Sequence, residues 1–393
     1  MEFIDLAKQQ LLIREKLEMR IKKVLDSGKY IMGFEIVELE EKLADYTGVK
    51  HCITCSSGTD ALLMPLMAQE IGTGDAIITT PFTFIATAEV IRLVGATPVF
   101  VDINPDTYNI NSELIPDAIQ YAKEHGLNTK AIIPVDLFGL PAAYEQIQKI
   151  AEENNLFVLE DAAHAVETVS NTGKVGSTNH AAAFSFYANK NITTGGEGGA
   201  LSTNDPIMAD RVRKLSLHGM SKDSWKRFKL GADWAYDVSE LGYKYNMTDI
   251  AASFGLEQLT HVDVWHTRRL EIVKYYNDNL SSIEGLILPR HTCGKVHAWH
   301  LYVIKIIPDM WKINRNQLID KINEKGIGTS VHYIPVHMHS YYTKKYGFKH
   351  GDFPVAKEFS ERVITLPLYP NMTDNQTQYI IQIMNDLWNK YKT

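Results

Sequence analysis

The sequence predicts an α/β protein in which helices cover both faces of a mostly parallel central sheet. Short apolar runs rich in β-branched residues alternate with helical segments between about residues 50 and 205. Strands that are almost continuously apolar and separated by helices are typical of parallel sheets buried on both faces. The chain has 393 residues, and this length predicts roughly two or three domains, because domains usually span about 100–200 residues.

The individual elements follow from hydrophobic period and composition. The predicted strands are His51–Cys55, Ala76–Thr80, Thr97–Val101, Ala131–Val135, Phe157–Glu160, Ala182–Phe186 and Gly199–Thr203. The helices predicted between the earlier strands are Ala61–Ile71, Ala86–Leu93, Ser112–His125 and Ala142–Asn154. Open parallel sheets bind ligands beyond the carboxyl ends of their strands, so we expect the functional residues just after each strand.

A smaller α+β region is predicted at the C-terminal end of the chain. It is preceded by a helix over Ile207–His218, a long loop over Ser221–Glu240 and a helix over Thr248–Leu270. The elements predicted within it are a strand over Trp299–Ile307 and helices over Arg315–Lys325, Ala356–Ile364 and Asp374–Tyr391. We therefore expect a large domain over residues 1–260 and a small domain over 261–393. The first 25 or so residues form an amphipathic helix that could pack on the small domain.

Composition and charge exclude several classes of protein. The net charge of −7 and the pI near 6.1 argue against nucleic acid or an anionic membrane as the main partner. The N-terminal segment lacks the apolar centre of a signal peptide, and no run approaches the ~18–20 apolar residues of a membrane span. Three cysteines do not make a disulfide framework, which indicates a reducing compartment and hence a cytoplasmic protein.

Cys52 and Cys55 have the spacing of a redox or zinc pair, but they lie in a predicted strand. Residues three apart in a strand point to opposite faces, and a zinc ribbon would need a second pair, which is absent. We interpret both cysteines as structural.

The loop Ser56–Thr59 lies between a strand and a helix and could bind phosphate. Exposed amides and the positive end of the helix dipole attract anions there. Gly58 lets the backbone approach a ligand, and the hydroxyls of Ser57 and Thr59 can donate hydrogen bonds. A plain helix N-cap explains the same residues when they are considered alone.

Two further strand ends carry residues suited to a flat, nitrogen-containing ring. Asp161 ends the strand Phe157–Glu160 and could pair with a protonated pyridine nitrogen, with His164 close behind it. Phe84, after the strand Ala76–Thr80, could stack on such a ring. A helix cap for Asp161 and core packing for Phe84 remain the simpler alternatives.

Lys190 follows a strand of small and aromatic residues and would enter the same crevice. Lysines are seldom buried without a task, and a desolvated lysine near a cationic ring has the lowered pKa that carbonyl chemistry needs. Ser185, five residues earlier, could give the phosphate another hydroxyl. The glycine-rich turn 195–199 precedes a strand rather than a helix, so it is not a dinucleotide-binding fingerprint. A solvated surface lysine is the alternative for Lys190.

Together these segments resemble the DegT/DnrJ/EryC1/StrS sugar aminotransferases. The resemblance extends from about residue 27 to 375, and its motifs are SSGTDAL, PFTFIATAEVI, GATPVFVDI, LEDAAHA, FSFYANKN, GEGGALSTND, LGYKYNMTDIAASFGLEQL, VHYIPVH and LPLYPNMTD. It implies the aspartate aminotransferase fold (fold type I of pyridoxal-phosphate enzymes). It also implies a homodimer with active sites at the subunit interface, and amino transfer, from glutamate in our interpretation, to a keto sugar on a nucleotide diphosphate.

The resemblance also implies a role for each candidate residue. Lys190 would bind the cofactor covalently and move protons, and Asp161 would pair with the ring nitrogen. Phe84 would stack on the ring, and His164 would lie beside the 3′-oxygen. The phosphate would be held by Ser57, Gly58, Thr59 and Ser185.

Two departures from the family pattern bear on these roles. Most members have Asn at the position of Lys244, which would reach the phosphate of the neighbouring subunit's cofactor; an ammonium can serve a phosphate as a point charge. The turn KNITTGGEGG has the length found in members that aminate C3, whereas the segment His218–Trp225 resembles the branch that aminates C4. We predict C4, with amination at C3 as the alternative.

His332 belongs to a histidine-rich segment over residues 331–339. Strand spacing prevents its histidines from converging, and no carboxylate is interleaved, so we predict no metal and a substrate-facing loop with His332 on the substrate. The rival functions are a sugar dehydratase of the same fold, a non-catalytic regulator binding pyridoxal phosphate or a sugar nucleotide, and a nicotinamide dehydrogenase. The dehydratase relatives have histidine in place of Lys190.

Overall fold

A computed structural model describes residues 1–220, 237–290 and 294–393 of the chain. Residues 221–236 of the predicted loop Ser221–Glu240 lie outside the described residues, and residues 237–240 belong to no helix or strand. Among the described helices, none is long and apolar enough to cross a membrane.

The strands form one large sheet and two small ones. In chain order they are β1 (His51–Cys55), β2 (Asp75–Thr79), β3 (Thr97–Phe100), β4 (Asn128–Ile133), β5 (Phe157–Asp161), β6 (Val169–Ser170), β7 (Gly173–Lys174), β8 (Ala181–Ser185), β9 (Gly199–Thr203), β10 (Leu286–Ile287), β11 (Tyr302–Ile306) and β12 (Val363–Leu366). The large sheet has the order β1-β9-β8-β5-β4-β2-β3. Only β9 runs antiparallel to its neighbours there, so the mostly parallel sheet is confirmed.

The described helices form two sets: some pack on both faces of this sheet, and the others belong to the C-terminal region. In chain order they are α1 (Leu6–Leu11), α2 (Arg14–Ser27), α3 (Phe34–Thr47), α4 (Gly58–Ala68), α5 (Ala86–Leu93), α6 (Ile115–Glu124), α7 (Tyr144–Asn154), α8 (Pro206–Leu215), α9 (Asp249–Leu259), α10 (Val262–Leu280), α11 (Arg315–Glu324), α12 (Ser340–Tyr346), α13 (Pro354–Arg362) and α14 (Asp374–Tyr391). Adjacent residues Ile77 and Ile78 pack into separate hydrophobic clusters, because successive side chains of a strand point to opposite faces.

Cys52 and Cys55 follow the same alternation and lie in opposite hydrophobic clusters. Both are buried free thiols whose pKa values are raised, first by burial. A thiolate is therefore disfavoured at either position.

The prediction of one helix over Thr248–Leu270 was wrong, because two helices meet there. Helix α9 ends at Leu259 and α10 begins at Val262. At the junction the Thr260 hydroxyl donates to the carbonyl of Glu257 at 2.7 Å, and the His261 amide donates to Gln258 at 3.0 Å. These contacts satisfy the last carbonyls of α9 and let the chain change direction. We propose the boundary between the two domains at this break.

The prediction of a helix over Ala356–Ile364 was wrong at its C-terminal end. Helix α13 ends at Arg362, and Val363 and Ile364 begin β12, which pairs antiparallel with β11. The β-branched run after Arg362 fits a pleated surface better than a helix. Strands β10, β11 and β12 form the small antiparallel sheet of the C-terminal region.

The N-terminal segment contains two helices and contacts both regions. The carbonyl of Met1 accepts a hydrogen bond of 3.0 Å from the amide of Gly328. In α2, Arg20 forms ion pairs with Glu35 at 2.9 Å and Glu38 at 3.1 Å, and a further pair with Glu257 of α9. The first residues therefore touch the C-terminal region, while α2 is fixed to α3 and α9.

Candidate active site

The carboxyl ends of the parallel strands open into a cavity of about 400 Å³. Nine of the predicted site residues line it, and they come from four strand ends and from the histidine-rich segment. They are Ser57, Gly58, Thr59, Phe84, Asp161, His164, Ser185, Lys190 and His332. The structure thus brings together residues that are up to 275 positions apart in the chain (57 to 332).

The loop after β1 has the geometry of an anion cradle. Ser57 is the N-cap of α4, and its hydroxyl accepts a hydrogen bond of 3.1 Å from the amide of Asp60. The preceding amides of Gly58 and Thr59 have no partner within the helix, since the first turn never provides one. A Cβ on Gly58 would lie 2.6 Å from the Cβ of Ser185. Only glycine therefore lets this loop lie against Ser185 at the end of β8.

The glycine-rich turn after Lys190 contacts the backbone of this loop. A Cβ on Gly199 would collide with the carbonyl group of Ser57, so the start of β9 runs directly against the backbone of the loop. Only glycine at position 199 permits this close contact between the two backbone segments.

Asp161 is buried at the end of β5, where it is 5% exposed. Its Oδ2 accepts a hydrogen bond of 2.7 Å from the hydroxyl of Thr87, and its Oδ1 accepts one of 3.3 Å from the amide of Ala163. Burial raises the pKa of this carboxyl, whereas Thr87, Ala163 and the charge of Lys190 lower it. A cation beside Asp161 would lower this pKa and favour the ionised form.

Lys190 lies in a turn after β8, with its amide bonded to the carbonyl of Tyr187 at 2.9 Å. Burial of its ammonium group lowers the pKa to about 8, although the charge of Asp161 acts in the opposite direction. A neutral amine is therefore accessible close to physiological pH, which both nucleophilic attack and proton abstraction require.

His164 is held as a neutral imidazole. Its Nδ1 accepts a hydrogen bond of 3.2 Å from the amide of Phe138, so its remaining proton resides on Nε2. Burial, followed by the charge of Lys190, keeps its pKa well below the usual range. Nε2 lies 3.4 Å from the hydroxyl of Tyr333, and the ring can therefore donate one hydrogen bond.

His332 lies at the other side of the cavity. Its Nδ1 is 2.8 Å from the hydroxyl of Thr365 on β12, and its ring stacks on Phe3 at 6.1 Å between centroids. Burial lowers its pKa to about 4, with a further contribution from Lys190. A neutral imidazole with a fixed orientation can recognise a hydroxyl or a phosphate oxygen only through hydrogen bonding.

Phe84 is the most exposed of the predicted residues that line the cavity, with 56% of its surface accessible. Its ring lies 6.3 Å from that of Tyr333, tilted by 55°. One face of an aromatic ring at the mouth of the cavity is therefore available for stacking.

Lys244 does not line the cavity of its own chain. It is exposed, and its ammonium group donates to the side-chain carbonyl of Asn246. A role toward a neighbouring subunit remains a prediction.

The described residues contain no group of three or more metal-ligating side chains. In the histidine-rich segment, His332 faces the cavity while His337 is buried against Phe353, with ring centroids 4.8 Å apart.

Ten further residues line the cavity and were not predicted, and two of them, Thr87 and Tyr333, contact predicted site residues. Thr87 bonds to Asp161, and its position in the first turn of the helix after Phe84 was the available signal. Tyr333 follows His332 in the chain, and its contact with His164 joins residues 169 positions apart, which no local signal reveals.

Pyridoxal phosphate fits these residues. A Cβ at Gly58 would clash with Ser185, the carboxylate of Asp161 is buried, and a lysine of lowered pKa lines the same cavity. Such a set combines a phosphate site, a ring-nitrogen partner and a carbonyl nucleophile.

Comparisons with known proteins agree with this site. The model of the DegT/DnrJ/EryC1/StrS aminotransferase family matches residues 12–385. The spore coat polysaccharide biosynthesis protein SpsC of Bacillus subtilis is 43% identical over 93% of both chains. A DegT DnrJ EryC1 StrS aminotransferase from Brucella abortus superposes with a TM-score of 0.89 at 38% identity, covering 98% of this chain and 99% of that one. DesV of S. venezuelae, solved in complex with a ketimine intermediate, superposes with a TM-score of 0.89 at 30% identity, covering 98% of both chains.

Proposed function

This chain belongs to the DegT/DnrJ/EryC1/StrS aminotransferase family, and we propose that it transfers the amino group of L-glutamate to C4 of a keto-deoxysugar carried on a nucleotide diphosphate. It has the aspartate aminotransferase fold and is a sugar transaminase that depends on pyridoxal phosphate. The observation that carries the proposal is the presence of Lys190 and Asp161 in one cavity beside a phosphate cradle.

When bound, pyridoxal phosphate takes up the electron pair released as a C–H bond breaks next to the transferred nitrogen. Asp161 keeps the ring nitrogen protonated, and Thr87 orients its carboxylate. Nζ of Lys190 would hold the cofactor, and as a free amine it would carry a proton from one carbon atom to another. Its pKa of about 8 suits both tasks.

The remaining residues of the site bind and orient the cofactor and the substrate. Ser57, Gly58, Thr59 and Ser185 hold the phosphate, so that one end of the cofactor stays fixed during the reaction. Phe84 would cover one face of the ring, and Nε2 of His164 would donate to the 3′-oxygen. His332 binds the substrate through a hydrogen bond of its neutral imidazole.

Support for the substrate class comes from the relatives, and support for the compartment comes from the cysteines. SpsC is named for polysaccharide biosynthesis, which requires activated sugars. Cys52 and Cys55, both buried thiols, are compatible with a reducing compartment and so with a cytoplasmic enzyme. Lys244 of a second subunit would complete the phosphate site of a homodimer.

Two segments bear on whether C4 or C3 is aminated, and they favour different carbon atoms. The segment His218–Trp225 favours C4, although its residues from 221 onward lie outside the described ones. The length of the turn KNITTGGEGG favours C3, which is the second candidate.

A panel of UDP-, dTDP- and GDP-linked keto sugars, offered with L-glutamate, tests the proposal. Product mass identifies the sugar nucleotide, and NMR identifies the aminated carbon. We expect amination at C4, and no product with Lys190→Ala. Product aminated at C3 alone would replace our assignment, and a Lys190→Ala protein that keeps the absorbance of lysine-bound cofactor would refute the proposed role of Lys190.

A further inference from the structure

A buried polar network lies directly behind Lys190. The next residue, Asn191, turns its side chain inward, with Nδ2 at 2.9 and 2.8 Å from the two carboxylate oxygens of Glu167. Glu167 also accepts from Nη1 of Arg269 in α10 at 3.3 Å. All three side chains are at most 5% exposed, and the function proposed above uses none of them.

The chemistry of the groups fixes their orientation. Burial raises the pKa of Glu167, but the positive charge of Arg269 and the hydrogen bond from Asn191 lower it and favour the carboxylate, which can only accept. Asn191 must therefore present its NH₂ group to Glu167, which turns its Oδ1 toward Nδ1 of His300 at 3.0 Å. His300 in turn donates from Nδ1. Burial and the charges of Lys190 and Arg269 keep the pKa of His300 well below the usual range, so this imidazole is neutral.

The network reaches the cavity at two places. One is the backbone of Lys190, which precedes Asn191 in the chain. The turn that contains Lys190 is closed by the hydrogen bond from its amide to the carbonyl of Tyr187. The other is the ring of His164, which lies 4.4 Å from the ring of His300. A further Nδ2 contact of Asn191, to the carbonyl of Ala298 at 3.2 Å, ties the same amide to the C-terminal region.

We propose that Asn191 and Glu167 are positioning residues that hold the turn of Lys190 stationary while its side chain moves. This inference rests on the proposed role of Lys190. A lysine that alternates between holding a cofactor and moving a proton needs a long mobile side chain on an immobile backbone. Small displacements of a reacting group reduce rates strongly, and Arg269 connects the turn to a long helix.

An exchange of the two side chains tests the proposal. Asn191→Asp places a second carboxylate against Glu167, and Glu167→Gln leaves Arg269 without its counter-charge. In the double variant, the new carboxylate at position 191 accepts hydrogen bonds from His300 and from the NH₂ group of the new amide at position 167. The oxygen of that amide accepts the hydrogen bond from Arg269. We expect each single variant to lower kcat by about tenfold to a hundredfold with little change in KM. The double variant should be faster than either single variant, since coupled residues are not additive, but recovery should be partial because the carbonyl of Ala298 loses its donor.

Two readouts separate positioning from general destabilisation. We expect the single variants to shift the pH midpoint at which the absorbance of the lysine-bound cofactor changes, and to speed amide exchange in residues 187–194. The matched control is Tyr276→Phe, which removes one buried hydrogen bond of 2.9 Å to Pro367 within the hydrophobic cluster of the C-terminal region and leaves the contacts of Asn191 and Glu167 in place. It should lower stability and leave both readouts unchanged. Where Asn191→Asp does not fold, Asn191→Ala takes its place in these measurements.

Single variants with wild-type kcat, midpoint and exchange, or a double variant no better than the worse single one, would overturn the inference. Either result would leave the role of Lys190 intact if the wild-type protein shows the absorbance of lysine-bound cofactor and Lys190→Ala does not.

Discussion

The hydroxyl of Thr87 donates a hydrogen bond of 2.7 Å to Oδ2 of Asp161. The two residues are 74 positions apart, yet both are buried beyond the carboxyl ends of strands in one sheet. Because Thr87 lowers the pKa of a carboxyl that burial raises, this contact favours the charged form of Asp161.

Thr87→Val, a nearly isosteric change, should therefore raise the pKa of Asp161 and weaken its hold on a protonated ring nitrogen. A hydrogen bond to a charged group is worth about 1.5–3 kcal/mol, so we expect kcat to fall by roughly tenfold to a hundredfold. Steady-state kinetics with the sugar nucleotide that the enzyme accepts measure this change in kcat. Thr377→Val, which removes a buried hydroxyl of α14 bonded to the carbonyl of Thr373, is the control and should keep wild-type kcat. Equal kcat in both variants would contradict the role of Thr87.

The lowered pKa of Lys190 predicts how cofactor attachment depends on pH. Only the neutral amine attacks, so the rate of attachment to cofactor-free protein should rise with pH and reach half its maximum near the pKa of about 8. Asp161 raises that pKa, so Asp161→Asn should move the midpoint to lower pH. Stopped-flow absorbance after addition of pyridoxal phosphate measures the rates.

The matched control for this titration is a free lysine derivative, whose amine titrates near ~10.4. The electrostatic account of Lys190 would be wrong if the rate of cofactor attachment to the protein reached half its maximum at the same pH as for the free amine. It would also be wrong if Asp161→Asn moved this midpoint to higher pH.

The sequence predicted the strand ends well because their signals are local. β1 and β9 have the predicted bounds, and Ser57, Asp161 and Lys190 each follow or end a short apolar run. A parallel sheet brings such positions to one edge whatever their separation in the chain, which is why nine predicted residues share a cavity.

Elements decided by distant partners were harder to predict. The end of α13 depends on the pairing of Val363 and Ile364 with β11, and a helical period cannot reveal a strand partner about 60 residues away. The break between α9 and α10 depends on the side-chain contacts of Thr260. The role of Asn191 was not predicted, because its polar partners Glu167 and His300 are remote in sequence.

Gly58 offers a direct test of the phosphate cradle. Gly58→Ala would place a Cβ 2.6 Å from the Cβ of Ser185, so the loop or the end of β8 must shift. Overpacking of this kind costs about 1–3 kcal/mol, and we expect the Kd for pyridoxal phosphate to rise by roughly tenfold to a hundredfold. Titration of cofactor-free protein, followed by absorbance, measures the Kd.

The control for the cradle is Gly72→Ala. The nearest atom to its new Cβ is a backbone oxygen at 3.6 Å, an ordinary contact, so cofactor affinity should be unchanged. Wild-type affinity in Gly58→Ala would mean that the phosphate is bound elsewhere.

Lys244 permits a test of whether two subunits share each site. In a dimer of the proposed kind, Lys190 of one subunit and Lys244 of the other serve the same cofactor. Mixing Lys190→Ala with Lys244→Ala should therefore restore one intact site in every mixed dimer, about a quarter of all sites after random exchange. Activity is measured after the two proteins are unfolded and refolded together, with each variant refolded alone as the control. If Lys244 acted within its own subunit, mixed dimers would contain no intact site and activity would equal the mean of the two variants, because Lys190 and Lys244 would never be intact in the same chain.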